Sequence, residues 1–274
     1  MKLGISTYTY NWSIGIAGYT APDNPMDIKS LLRRTKELDL GVLQICDSMK
    51  LNMLSDAELD TIREYAQSLG VELEIGTSGI YPEHLYSFLR VAKRLQVKFI
   101  RVLLHDCQSQ PTIDEAIIWL KQVIPKFAAN KIVLGIENHD KQKCEELIYI
   151  IKTVDNPYLG ICLDTANSYG TQEPTEYVLK KLLPYAVNFH FKNFIIERSL
   201  TNLGFHVIGA PANRGEVDFA HILTMINQAG KDINIILELW TPFKDSIEQS
   251  IELEEKWAFD SILYMKDIIK NTRI

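Results

Sequence analysis

Short apolar runs rich in β-branched residues alternate along this chain with longer segments in which apolar residues recur three and four positions apart. The first pattern predicts buried strands, and the second predicts amphipathic helices that cover one face of a sheet. We predict strands at 2–8, 41–47, 71–77, 99–106, 132–138, 159–165, 186–193 and 233–239. Regular alternation of strand and helix indicates βα units on a parallel sheet.

Capping residues mark several of the predicted helices. Ser55 with Glu58, and Thr112 with Glu115, have the spacing of a capping box, in which each side chain bonds the other residue's backbone N–H. A final amphipathic helix is predicted from Ser246 to Lys270, where an acidic stretch is expected to form a solvated face.

Eight βα units without a linker rich in Gly, Ser or Pro predict one (β/α)8 TIM barrel domain over residues 1–274, with the active site at the C-terminal face. A doubly wound open sheet is the alternative, but it usually carries a Gly-rich turn after an early strand, and TYTYNW follows the first strand here. The long connections 9–26 and 194–217 fall on the C-terminal face, so we predict substrate-covering loops.

Composition narrows the classes of partner. The formal net charge is -6 and the charges are interleaved, which argues against a nucleic-acid partner. No segment approaches the roughly 18 apolar residues of a membrane span, so we expect no membrane partner and a cytoplasmic location. The four cysteines form no CxxC pair, which favours reduced, mostly buried thiols.

Four apolar strands in the second half each carry a residue that binds divalent metals, namely Glu137, Asp164, His190 and Glu238. A carboxylate moved from water into an apolar strand costs several kcal/mol unless a cation or hydrogen bonds compensate it. In a barrel these strand ends meet at one mouth, so a shared ion explains all four. Mixed oxygen and nitrogen ligands suit Mn²⁺, our first choice, or Mg²⁺, Co²⁺ or Zn²⁺.

Each of these residues also has a purely structural explanation. Glu137 could pair with a buried base, Asp164 could cap a turn, His190 could be a satisfied core histidine and Glu238 could face a helix. Four adjacent strands would then need four independent explanations, so the metal site is favoured.

The chain resembles the xylose-isomerase-like TIM barrel superfamily, which includes sugar isomerases, ketose 3-epimerases and endonuclease IV. The resemblance spans the whole chain and is carried by GIENHD at 135–140, GICLDTAN at 160–167, NFHFKNF at 188–194, RGEVDF at 214–219 and ILELW at 236–240. The set is fairly specific for the superfamily and weakly specific for one reaction.

The resemblance implies a divalent-metal-dependent sugar isomerase or epimerase that acts on a ketose or sugar derivative by proton transfer through a metal-stabilised enediolate. In the ketose epimerases two glutamates bind the metal and exchange protons with the substrate, and these would be Glu137 and Glu238. Those epimerases have a histidine where this chain has Asn167, which weakens a 3-epimerase assignment. Lys192 shares a strand face with His190 and is a third candidate catalytic residue.

Three alternatives stay open. Lys192 beside the metal would also suit a lyase, either a decarboxylase or a dehydratase of a keto-sugar acid such as a 3-oxo aldonic acid. An endonuclease IV-like nuclease is disfavoured by Asn167 and by the negative net charge. A non-catalytic carbohydrate-binding protein on the same scaffold is the third.

Side chains near the predicted mouth are candidates for binding the substrate, a small sugar or sugar acid. They combine aromatic surface with polar or charged groups. The candidates are Tyr8, Trp12, His105, His139, Asn167, Arg214 and Trp240. Oligomerisation is common among the resembling enzymes, so a homo-oligomer, either a dimer or a tetramer, is expected.

Overall fold

The structure is a computed structural model that describes residues 1–272 of the chain. The strands are β1 Leu3–Ser6, β2 Val42–Ile45, β3 Glu72–Ser78, β4 Phe99–Leu103, β5 Val133–Glu137, β6 Leu159–Asp164, β7 Ala186–Phe191, β8 Asn193–Arg198, β9 Phe205–Ala210 and β10 Ile235–Leu237. The α-helices are α1 Asn11–Ile14, α2 Ile28–Glu37, α3 Asp56–Leu69, α4 Pro82–Leu95, α5 Ile113–Ala129, α6 Cys144–Val154, α7 Thr175–Leu182, α8 Phe219–Gln228 and α9 Ile247–Thr272.

Eight strands close into a parallel barrel in the order β1-β10-β7-β6-β5-β4-β3-β2. Helices α2 to α9 follow the barrel strands in sequence, and their buried apolar residues join the inner residues of the strands in one core. The predicted (β/α)8 barrel is therefore confirmed. Its parallel order directs the C-terminal ends of all eight strands to one mouth.

The predicted capping boxes at Ser55 with Glu58 and at Thr112 with Glu115 are present and start α3 and α5. The last helix, α9, begins and ends close to the predicted bounds of 246 and 270. Among the cysteines, Cys46, Cys144 and Cys162 are buried free thiols, as predicted, and Cys107 is exposed.

The prediction of loop throughout 194–217 was wrong. This segment contains an antiparallel two-stranded sheet, β8–β9, that is separate from the barrel. Several predicted strands were also too long at their C-terminal ends, because the chain leaves the barrel as soon as it reaches the mouth. His105, Lys192 and Glu238 therefore follow strands β4, β7 and β10 and do not lie within them.

Within residues 1–272, no helix combines the length and the apolar composition that a membrane crossing requires.

Candidate metal centre

Four strands of the barrel bring the predicted ligands together. Glu137 and Asp164 are the last residues of β5 and β6, His190 pairs in register with Asp164 on β7, and Glu238 directly follows β10. One ligand atom from each residue lies within 4.8 Å of those from the others. All four side chains are buried, with at most 3% of their surface exposed.

Several polar atoms in this cluster have no hydrogen-bond partner among residues 1–272. Both ring nitrogens of His190 are unpartnered, although Nδ1 lies 3.4 Å from Glu137 Oε1 and from Glu238 Oε1. Asp164 Oδ2 accepts no hydrogen bond within the described residues, although the Lys192 ammonium lies 3.1 Å away as an ion-pair partner. Buried polar atoms are nearly always satisfied in folded proteins, so unpartnered atoms in such a cluster call for a ligand. Oxygen and imidazole donors fit a divalent cation.

A buried arginine compensates one carboxylate of the cluster. Arg101, on β4, donates from Nε to Glu137 Oε2, and its Nη1 lies 3.3 Å from Asp47 Oδ2. Burial alone would raise the pKa of Glu137, but the charges of Arg101 and His190 hold that pKa well below its usual range. Glu137 is therefore ionised in the folded protein.

Lys192 lies directly over the cluster. Its Nζ is 3.0 Å from Glu238 Oε2, 3.1 Å from Asp164 Oδ2 and 3.2 Å from Asn167 Oδ1. Burial alone would lower the pKa of Lys192, but the carboxylates of Asp164 and Glu238 raise it above its ordinary value. The side chain is therefore an ammonium ion, and its Nζ lies 5.1 Å from the centroid of the Trp240 ring.

The fixed charges leave the cluster short of positive charge. Among the described residues, the three carboxylates of Glu137, Asp164 and Glu238 face two cationic side chains, Arg101 and Lys192. Burial raises the pKa of Asp164. Burial alone would lower the pKa of His190, but the carboxylates of Glu238 and Glu137 raise it. The raised pKa of His190 reflects its carboxylate neighbours, and a divalent cation would neutralise those carboxylates.

Neutral side chains fix the orientation of the carboxylates. Asn167 Nδ2 donates to Glu137 Oε1 at 2.7 Å, and its backbone N–H donates to Asp164 Oδ1 at 2.8 Å. Ser6 Oγ donates to Glu238 Oε1 at 2.8 Å. These contacts hold the ligand oxygens in one geometry before an ion binds.

The remaining predicted substrate residues lie at different distances from the cluster. Tyr8 packs against Arg101, with the guanidinium 5.6 Å from the ring centroid. His105 and His139 are half-buried neighbours at the mouth, with ring centroids 6.5 Å apart. Burial lowers the pKa of His105, whose Nδ1 has no partner among residues 1–272.

Two predicted substrate residues do not contact the cluster. The ring of Trp12 is buried against Tyr19 and Phe243, and its Nε1–H donates to the Thr241 carbonyl. Arg214 is exposed, and its side chain makes no ion pair or hydrogen bond within the described part of the chain. Sugar contacts by Trp12 and Arg214 stay predictions.

The family model for the xylose isomerase-like TIM barrel matches residues 32–258 of the chain. The chain belongs to this family. It is also 35% identical to the 3-oxo-isoapionate decarboxylase of Pectobacterium atrosepticum over 97% of its own length and 95% of the relative's. On these similarities the protein is an enzyme of the xylose isomerase-like superfamily.

Two solved structures of the xylose isomerase-like fold illustrate the range of relatives. One is D-psicose 3-epimerase with D-tagatose from Clostridium cellulolyticum H10, at a TM-score of 0.73 and 15% identity, covering 98% of this chain and 99% of that one. The other is a xylose isomerase-like TIM barrel protein from Mycobacterium smegmatis in complex with magnesium, at 0.70 and 17%, covering 96% and 97%. At these identities the likeness shows the shared fold.

Three residues of this xylose isomerase-like site were not among the predicted site residues: Arg101, Asp47 and Ser6. Arg101 carried a usable signal, because a lone arginine inside the apolar run FIRVLL needs a buried partner. Asp47 and Ser6 carried no such signal, since an Asp or Ser at a strand end is ordinary turn chemistry.

Proposed function

We propose that this protein is a divalent-metal-dependent decarboxylase of a 3-oxo sugar acid. The observation that carries the proposal is the 35% identity to 3-oxo-isoapionate decarboxylase over nearly the whole of both chains. Loss of CO₂ from such an acid was the alternative to isomerisation in the sequence analysis, and both reactions pass through an enolate of the same kind.

The hydrogen bonding of the two glutamates also supports the decarboxylase. Isomerisation or epimerisation needs carboxylates that take up and release protons. Both oxygens of Glu137 already accept from Arg101 and Asn167. Glu238 accepts from Ser6 at one oxygen and faces Lys192 at the other. Cleavage of a carboxylate from a β-keto acid needs no base, so engaged glutamates do not obstruct it.

We assign the metal to Glu137, Asp164, His190 and Glu238, because one ligand atom from each lies within 4.8 Å of the others. Asp164 and His190 also carry atoms without a hydrogen-bond partner among the described residues. A divalent cation there would supply Lewis-acid stabilisation of the negative charge that develops at the ketone oxygen. Manganese is our first choice, and metal analysis of the purified protein tests it. A cytoplasmic location is likewise a proposal, which cell fractionation tests.

Lys192 is the catalytic side chain that we assign beside the metal ligands. The C–C bond to the carboxylate breaks, its electron pair passes into the ketone to form an enolate, and CO₂ leaves. The carbon that lost CO₂ then takes up one proton, which comes from solvent water. Lys192 is an ammonium ion in a water-poor site, so it would stabilise the enolate charge without reorganisation. The Trp240 ring, itself 37% exposed, lies beside this ammonium.

The substrate would lie between the metal ligands and the rim of the mouth. Asn167 can hydrogen-bond a hydroxyl next to the reacting ketone, and Tyr8 and Trp240 offer ring faces to the carbon skeleton. His105 and His139, on the β4 and β5 side, are our candidates for contacts with the far hydroxyls.

The experiment is NMR in D₂O of the Mn²⁺-loaded and Mg²⁺-loaded enzyme with 3-oxo-isoapionate and with a panel of ketoses, with paramagnetic ion removed before spectra are recorded. We expect CO₂ from the acid and one deuterium on the carbon that carried it. Glu238→Gln, which keeps the shape of the side chain but loses its charge, should abolish both signals. A wild-type enzyme that releases no CO₂ would contradict the proposal.

A metal-dependent isomerase or epimerase is the second candidate, because Glu137 and Glu238 both face the candidate metal position. In the same NMR experiment it predicts a different outcome. Deuterium enters a ketose at the carbon next to its carbonyl, and no carbon is lost. Tight sugar binding without turnover would instead indicate a non-catalytic binding protein.

A further inference from the structure

Two side chains at the mouth continue the strand pairing beyond the ends of β5 and β6. Asn138 directly follows Glu137, the last residue of β5, and Thr165 directly follows Asp164, the last residue of β6. Asn138 Nδ2 donates to the carbonyl of Asp164 at 2.9 Å, and Asn138 Oδ1 accepts from the Asp164 N–H at 2.8 Å. The side-chain amide thus takes the place of the backbone bonds of a parallel ladder.

Thr165 bonds the backbone of Lys192 in the same way. Its Oγ1 accepts from the Lys192 N–H at 2.9 Å and donates to the Lys192 carbonyl at 2.6 Å. The backbone of Thr165 is itself fixed, because its N–H donates to the His190 carbonyl at 3.3 Å and its carbonyl accepts from the Thr175 hydroxyl at 2.7 Å. The buried hydroxyl therefore holds Lys192 from a rigid position.

Lys192 occupies the point at which the chain leaves the barrel. It is the single residue between β7, which ends at Phe191, and β8, which begins at Asn193 and belongs to the separate sheet β8–β9. Residue 192 therefore lies outside both ladders, yet its buried N–H and carbonyl need partners. The Thr165 hydroxyl supplies both, and it thereby sets the backbone from which the Lys192 side chain extends.

We propose that Thr165 and Asn138 are positioning residues with separate tasks: Thr165 places the ammonium of Lys192, and Asn138 places the metal ligand Asp164. The task of Thr165 rests on the proposed function, in which Lys192 stabilises the enolate. The Nζ contacts of Lys192 include Asp164 and Glu238, so a bound ion would compete for them. The two backbone bonds to Thr165 involve no metal ligand, so they hold Lys192 whether or not an ion is bound.

Thr165→Val tests the first task, because it keeps the shape of the side chain and removes the hydroxyl. In the Mn²⁺-loaded enzyme with 3-oxo-isoapionate, we expect kcat to fall roughly 10- to 100-fold, since a small displacement of a catalytic group is costly. KM should stay near its wild-type value. Thr165→Ser, which retains the hydroxyl, should restore most of the wild-type kcat. Thr35→Val removes another buried hydroxyl, one that bonds the Leu31 carbonyl in α2, and should leave kcat unchanged.

A double-mutant cycle distinguishes positioning of Lys192 from general support of the fold. If Thr165 acts through Lys192, Thr165→Val should lower kcat in the wild type and cause no further loss in Lys192→Met. Equal losses in the two backgrounds would overturn the task of Thr165, as would an unchanged kcat in Thr165→Val. Far-UV circular dichroism checks that each variant is folded, and Thr165→Ala enters the same cycle if the valine variant is not.

Calorimetric titration with Mn²⁺ tests the task of Asn138 without turnover. Asn138→Leu, or Asn138→Ala if the leucine variant is not folded, should raise the dissociation constant roughly 10- to 100-fold. Thr165→Val should leave that constant near the wild-type value. Ser168→Ala is the matched control, because it removes a third partner of the Asn138 amide and keeps both bonds to Asp164.

The outcomes separate this proposal from the proposed function. Equal effects of Asn138→Leu and Thr165→Val on the Mn²⁺ dissociation constant would overturn the separation of tasks, as would an unchanged constant in Asn138→Leu. A wild type that releases no CO₂ would overturn the proposed function and the task of Thr165 with it. The titration would still decide the task of Asn138 in that case.

Discussion

Arg101 and Glu137 form the ion pair on which the charge balance of the candidate metal centre rests. Replacing Arg101 with Met removes the cation and leaves a buried carboxylate without its partner. Breaking such a pair typically costs about 3 to 5 kcal/mol. We expect a loss of that size in the metal-free protein, measured by urea unfolding, and a smaller loss with Mn²⁺, which replaces part of the missing positive charge.

Arg214→Met is the matched control for this substitution, because that arginine is exposed and has no side-chain partner among the described residues. Its effect on the free energy of unfolding should stay within about 0.5 kcal/mol, as is usual for surface substitutions. Equal effects of the two substitutions would contradict the assigned role of Arg101.

Lys192 is expected to act on the reaction more than on metal binding. In Lys192→Met the ammonium is lost while the four metal ligands remain, so kcat should fall roughly 10²- to 10³-fold, the usual effect of removing one charge-stabilising donor. Calorimetric titration with Mn²⁺ should show a dissociation constant that is unchanged or lower, because a competing cation has gone. An unchanged kcat would contradict the role, and exposed Lys141→Met is the control.

Residue types at strand ends could be predicted, whereas their partners could not. Glu137, Asp164, His190 and Glu238 stood out because an ionisable group after an apolar run is costly, and that cost is local information. The partnership of Arg101 with Glu137 depends on the register of β4 against β5, which brings Arg101 opposite Gly135. Register between strands is a property of the assembled barrel and cannot be obtained from either strand alone.

At the scale of elements, a buried glutamate joins the short helix α1 to α9. Glu254 Oε1 accepts from the backbone N–H of Trp12, and Oε2 accepts from the N–H and the hydroxyl of Ser13. Burial raises the pKa of Glu254 from 4.5 to about 7. Between these values the folded state holds a proton that the unfolded chain releases, so stability falls as pH rises through the window.

The loss should be on the order of 3 kcal/mol, at about 1.4 kcal/mol per pKa unit. It is measured as the difference in unfolding free energy between the wild type and Glu254→Gln across a pH series, since other groups cancel. We expect the wild type to lose stability relative to Glu254→Gln as the pH rises from 4.5 to about 7, and the difference to stay constant above that pH.

The two-stranded sheet β8–β9 shows where element prediction from sequence fails. Strands β8 and β9 lie outside the barrel and lack a buried face along most of their length, so the alternation of apolar and polar residues that identifies a strand is absent. The strong periodicity of the barrel strands and helices arises because each must bury one side. Elements whose side chains stay exposed along most of their length leave no such pattern.

At the scale of the whole molecule, the closed barrel was predictable because one pattern repeats eight times, and each repeat must cover its strand with a helix. Closure itself, in which β1 pairs with β10, was an inference from the count of units and the chain length. The assignment of residues 1–274 to a single domain stays a prediction, and so do the contacts between the mouth residues and the substrate.

Metal binding should stabilise the entire barrel, because the ligands come from four strands, β5, β6, β7 and β10, that meet side by side. Without an ion, three buried carboxylates repel one another across these strands. A ligand that binds only the folded state adds about 2.7 kcal/mol at a hundred times its dissociation constant. In a chain of this size that should raise Tm by roughly 5 to 10 °C.

Thermal unfolding of the chelator-treated protein with and without saturating Mn²⁺ measures the shift in Tm. The Asp164→Asn variant should lose most of this shift, whereas the exposed variant Asp267→Asn should retain it. If the wild type and Asp164→Asn respond equally to the ion, the stabilising site lies elsewhere and the ligand assignment is wrong.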